Sequence, residues 1–117
     1  MDTMELRWTG PLFGGGQLTG DPVTGRVFQT DILFHRVDII GMESLELESR
    51  LELDYAPRPV VVDNARDLLI VGGWLDGIVR FYQLSDLSLR DEEVYVGPYV
   101  RDMAYDPTRG ALFAGSQ

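Results

Sequence analysis

Arginine stands ahead of two of the chain's short apolar runs, in Arg58-Pro-Val-Val-Val-Asp63 and in Arg101-Asp-Met-Ala-Tyr-Asp106. A guanidinium is a planar fork of donors that suits carboxylates and phosphates. Two of them at matching places around one opening could hold an anion, and Asp102 lies beside the second. The plainer expectation is that each arginine pairs with an aspartate of a neighbouring structural unit. Four further residues carry chemistry in loops: Asp31, His35, Trp74 and Asp76. Trp74 follows Gly72-Gly73, where it would form an aromatic wall for a ligand or cap the core beneath its loop. His35 is the only histidine, so neither a two-histidine metal site nor a Ser-His-Asp set with a second base can be assembled within the chain. No catalytic residue, metal ligand or cofactor site is assigned.

Three aspartates invite a calcium reading and then argue against it. Asp21-Pro-Val-Thr-Gly25, Asp63-Asn-Ala-Arg-Asp67 and Asp106-Pro-Thr-Arg-Gly110 offer at most two carboxylates each, whereas a calcium loop converges several. Their chemistry is that of a turn. The aspartate accepts hydrogen bonds from amides just ahead, proline presets φ, and glycine supplies a positive φ. On this reading Gly25 and Gly110 take positive φ, while Asp67 tolerates it less well or sits in another turn type. Gly14-Gly-Gly16 lacks the strand-then-helix setting of a phosphate-binding loop and reads as close backbone packing.

The elements that must position these residues come from a repeat. The turn aspartates are 42 and 43 residues apart, and Gly25 to Leu47 lies over Asp67 to Leu89 without a gap. Within the second unit, Val60-Val-Val62, Leu68-Leu-Ile-Val71, Ile78-Val-Arg-Phe-Tyr82 and Val94-Tyr-Val96 are short, β-branched or aromatic, and bounded by turn residues. A period near 42 with four strands per unit predicts propeller blades rather than a helical solenoid. The stretch Glu46–Asp54 alternates in period two and is placed as an outer strand, although Leu, Glu and Arg are also good helix formers.

The resulting expectation is an all-β fold: a partial β-propeller of about two and three-quarter blades of four-stranded antiparallel sheet. Residues 4–9 would be the outer strand of a preceding blade, 15–54 a first full blade, 58–97 a second, and 99–117 the first two strands of a third. A complete propeller at this period needs on the order of 170 to 340 residues, so the 117-residue chain is expected to be a fragment. Its first partner is then the rest of its own propeller. In such a ring Arg58, Arg101 and Asp102 fall at the entrances of innermost strands, and Asp31, His35, Trp74 and Asp76 in loops at the same rim.

Charge narrows the partners further. Nineteen acidic residues against ten basic ones leave a formal charge of −9, with the arginines dispersed, which disfavours a nucleic-acid backbone as partner. The longest nearly apolar stretch, Leu68 to Leu75, is far shorter than the ~18–20 residues of a spanning helix, so no membrane insertion is expected. The absence of cysteine removes thiolate chemistry and leaves the compartment open.

Through Arg-x-Val-Val-Val-Asp63, Arg66-Asp-Leu-Leu-Ile-Val-Gly-Gly73 and Asp106-Pro-Thr-Arg-Gly-Ala-Leu-Phe-Ala-Gly-Ser116 the chain resembles the bacterial propellers of the YVTN, NHL and gluconolactonase-like type. The resemblance implies a propeller fold. Its leading functional implication is a non-catalytic binding or scaffolding module within a larger protein, with a protein or small anionic ligand as partner. The alternative it implies is part of a metal-dependent, gluconolactonase-like hydrolase with its site on the central channel.

Overall fold

A computed structural model describes residues 16–116; the strand expected at 4–9, and Gly14 and Gly15, lie outside them. All described regular structure is β. Strands β1 (Leu18–Asp21), β2 (Arg26–Asp31), β3 (Arg36–Gly41) and β4 (Leu47–Glu52) form one antiparallel sheet in chain order. A second sheet repeats that order with β5 (Pro57–Asp63), β6 (Leu68–Gly73), β7 (Ile78–Gln83) and β8 (Leu89–Tyr95). Strands β9 (Asp102–Asp106) and β10 (Ala111–Gly115) pair as a third, two-stranded sheet. This is a partial β-propeller.

The leucine- and glutamate-rich outer segment is a strand because pairing overrides helix propensity. Val37 lies opposite Leu51 and Asp38 opposite Arg50, and Asp38 is bonded by the Arg50 Nε at 3.0 Å. A register shift follows at Ile39–Ile40. Leu51 packs against the core while Glu48, Arg50 and Glu52 face solvent.

Each described hairpin closes around one residue in the left-handed region. In the first sheet these are Gly25, His35 and Leu45, with φ of 71°, 53° and 59°; in the second, Asp67, Gly77 and Leu87, with 57°, 72° and 62°. Each pair is 42 residues apart. In the β9–β10 turn Gly110 has φ 65°. The expectation for Gly25 and Gly110 therefore holds, and of the two alternatives for Asp67 only the different turn holds. Asp67 adopts the same φ, which aspartate tolerates better than most residues, and Oδ1 accepts from the Ser85 amide at 2.8 Å while Oδ2 accepts from the Ser85 hydroxyl at 2.8 Å. The closure of its turn does differ: the Asp67 amide donates to the Asn64 carbonyl, whereas those of Gly25 and Gly110 donate to Asp21 and Asp106.

Period-two alternation lets the second sheet bury both faces. Val60, Leu69, Val71 and Tyr82 pack with Phe28, Val37 and Ile39 of the first sheet. Ile70 and Val79 turn the other way, towards Val100, Met103 and Leu112. Each fully buried side chain of this size contributes about 1.5–3 kcal/mol.

Polar contacts pin both rims of the first seam and one rim of the second. At one rim the turn aspartates reach the next sheet: Asp21 accepts from Asn64 Nδ2 at 3.2 Å, and Asp63 accepts from the Tyr105 hydroxyl. Arg66 Nη1 donates to Asp63 and to the Pro107 carbonyl, both at 2.7 Å. Burial raises the pKa of Asp63, but the hydrogen bonds from Tyr105 and Arg66 outweigh it and hold the carboxyl below its ordinary value. At the opposite rim the Thr30 hydroxyl accepts from the Gln17 amide at 2.8 Å and donates to the Arg58 carbonyl at 2.7 Å.

Candidate functional site

The starts of the innermost strands converge at that second rim, and the convergence assembles a cluster around Trp74. Trp74 follows the last residue of β6, and its amide donates to the Ala56 carbonyl at 2.7 Å, which fixes the indole beside the start of β5. The Arg58 Cζ lies 4.8 Å from the indole centroid and the Arg101 Cζ 5.7 Å from it. The Tyr99 ring meets the same indole at 5.3 Å between centroids, tilted by 52°. Gln17 closes the cluster from the first sheet, its Nε2 donating to the Arg101 carbonyl at 3.1 Å and to Asp102 Oδ1 at 3.4 Å.

Arg58 departs from the plainer expectation of a pairing with aspartate. It makes no ion pair among the described residues; its guanidinium rests on tryptophan, and its Nε is buried without a hydrogen-bond partner. A cation over an indole gains roughly 0.5–1 kcal/mol at a partly exposed site, less than a well-made bond to a carboxylate, so the donor capacity of the fork stays open. Arg58 thus places a positive charge without an ion-pair partner among the described residues in a chain whose formal charge is −9. Chemically, the arrangement offers the Arg58 fork, an aromatic wall and a neighbouring amide.

The first repeat has Gly16 in the arginine's place, for a steric reason. A Cβ there would stand 1.6 Å from the Thr30 carbonyl oxygen. Close backbone approach, expected for the glycine run, is thus required at Gly16.

Asp31, His35 and Asp76 belong to their own turns instead. Asp31 is buried, and its Oδ1 accepts from the Phe34 amide at 2.9 Å, with Arg36 4.0 Å from Oδ2. His35 is exposed and occupies the left-handed position that Gly77 fills in the second sheet. Asp76 accepts from the Ile78 amide at 3.1 Å and bonds Arg80 Nη2 at 2.8 Å. Of the seven candidates the structure brings together Arg58, Trp74, Arg101 and Asp102, the last through Gln17. Sequence reasoning missed Gln17, Thr30 and Tyr99. A signal existed for Gln17, which directly follows the glycine that replaces the arginine.

Among the described residues no three His, Cys, Asp or Glu side chains group as metal ligands. Among the described residues no helix is long and apolar enough to cross a membrane.

No protein-family model matches the chain, and no curated protein sequence does. Among solved structures the chain is similar to hydrazine synthase of Kuenenia stuttgartiensis, with a TM-score of 0.78 over 95% of this chain. Identity is 14%, and the match spans 31% of that chain. At this identity the likeness is one of fold, and it agrees with the propeller-like order of the sheets.

Proposed function

We propose that the chain is a non-catalytic propeller segment of the bacterial YVTN or NHL type, acting as a binding module within a larger protein. Its channel-mouth cluster takes a small anionic ligand. One observation carries the reading: the Arg58 guanidinium lies against Trp74 with no carboxylate partner among the described residues, and Arg101 reaches the same ring. The subfamily rests on the arginine and aspartate motifs alone. A gluconolactonase-like metal site would gather several acidic ligands here, whereas the Arg58 guanidinium, without a carboxylate partner among the described residues, opposes a bound cation. That favours binding over metal-dependent hydrolysis.

The test uses the Trp8→Phe chain, in which Trp74 is the only indole, titrated with citrate and with inorganic phosphate while its emission is followed. Saturable change with at least one anion is expected, weakened about tenfold or more by Arg58→Ala, the loss of a charged hydrogen bond. Arg109→Ala, at an exposed arginine paired with Asp106, should leave binding unchanged. No response to either anion, or equal binding by Arg58→Ala, would refute the reading.

A further inference from the structure

At the outer seam between the two four-stranded sheets lies a groove that the anion reading does not use. One wall is the end of β4 and the residues after it, with Leu51 and Leu53; the other is the β7–β8 hairpin, with Leu87 and Leu89. Arg80, Tyr55 and Tyr82 also line it. Its apolar lining is only partly covered, Leu89 being 61% exposed.

The inner end of this groove holds two donors with no described acceptor. Arg80 is fixed by Asp76 and lies 3.9 Å over the Tyr55 ring, which leaves its Nη1 buried and without a hydrogen-bond partner. The Tyr55 and Tyr82 hydroxyls bond each other at 2.6 Å. One donates and the other accepts, so the accepting hydroxyl keeps a proton of its own to give. A buried donor left unmade costs about 1–3 kcal/mol, and a neutral carbonyl would satisfy either.

Carboxylates edge the same groove. Glu52 and Asp54 are exposed and make no ion pair among the described residues, and Glu93 stands 4.0 Å from Arg80. Acidic edges, aliphatic walls and carbonyl-seeking donors together specify one kind of occupant. We infer that this groove docks an extended segment of a partner protein, with aliphatic side chains between the leucines, a main-chain carbonyl on Arg80 or the tyrosine pair, and flanking lysine or arginine on the carboxylates. The charge complementarity is what selects a basic segment over an acidic one.

The probe is a fluorescein-labelled, amidated pentapeptide with lysine at both ends and leucine at the second and fourth places, read by anisotropy against the full 117-residue chain. Saturable binding below about 1 mM is expected, with amide shifts in a nuclear magnetic resonance spectrum centred on residues 51–54 and 87–93. The combined Glu52→Gln, Asp54→Asn and Glu93→Gln variant should bind about five- to tenfold more weakly, since exposed ion pairs each contribute modestly. All three are surface changes, and an unaltered circular dichroism spectrum verifies the fold. Replacing the peptide's leucines by serine should abolish binding. Equal binding of the serine peptide, equal binding by the charge variant, shifts centred elsewhere, or no binding at all would each overturn the inference.

Discussion

Gly25 and Gly110 occupy the same turn with nearly the same φ, 71° and 65°, yet alanine should cost different amounts at the two. At Gly25 nothing lies within 4 Å of an added Cβ, so only left-handed strain is incurred. That strain is roughly 1–2 kcal/mol, offset by roughly 0.4–1 kcal/mol from the stiffer unfolded chain. A net loss of about 1 kcal/mol is expected, or about 4–8 °C in Tm for a domain of this size. At Gly110 the Cβ would stand 2.8 Å from Arg66 Cζ and 2.9 Å from its Nε. The guanidinium must then leave Asp63 and the Pro107 carbonyl, so Gly110→Ala costs more than Gly25→Ala. The assay is urea unfolding of the two alanine variants, each alone and combined with Arg66→Ala. With Arg66 removed, the two glycine substitutions should agree within about 0.5 kcal/mol, the usual additivity error. If they cost the same while Arg66 is present, or if the excess at Gly110 survives its removal, the packing argument is wrong.

Two other outcomes follow from contacts at the sheet ends. Asp63 has a folded pKa below the ordinary 3.8, so its contribution is full above that value and is lost as pH falls through the folded one; unfolding at pH 6 and below pH 4 should show Asp63→Asn less acid-sensitive than the parent, and equal sensitivity would refute the link. Among the described strands β10 is hydrogen-bonded on one side only, to β9, and it carries Phe113 at 66% exposure; residues 1–117 should associate more as salt screens the charge, whereas light scattering that shows a 13.2 kDa monomer at low and physiological salt would count against an open edge.

The strands were legible because their evidence is local. Asp-Pro-x-x-Gly writes a turn in four or five residues, and period-two alternation writes the strands on either side. Leu45 and Leu87 take positive φ with no such evidence, since leucine has no preference for it; the closure of the hairpin imposes it. His35 shows what the repeat could have revealed sooner. Its counterpart 42 residues on is Gly77, which marks a backbone position rather than a chemical one. Within the candidate site, the arginines and Trp74 stood out by type and position, but the contact of Gln17 with Arg101 and Asp102 joins residues about 84 apart and depends on how three sheets curve around an axis. Which side chain would receive the guanidinium was likewise a matter of that curvature: the expected aspartate was displaced by an indole held in place through the Ala56 carbonyl.

The seam between the first two sheets, oily in the middle and hydrogen-bonded at either rim, divides adhesion from alignment. Contacts among Phe28, Val60 and Leu69 change little if one sheet slides slightly over its neighbour, because dispersion has no preferred direction. The bonds of Thr30 to Arg58 and of Asn64 to Asp21 tolerate no such slip. A seam of this kind behaves as a lubricated bearing with a latch at each end. Releasing one latch permits pivoting about the other before any oil meets water, which makes the wedge angle between neighbouring sheets the soft coordinate of the assembly, and Thr30 sets it on the side where Arg58 lies.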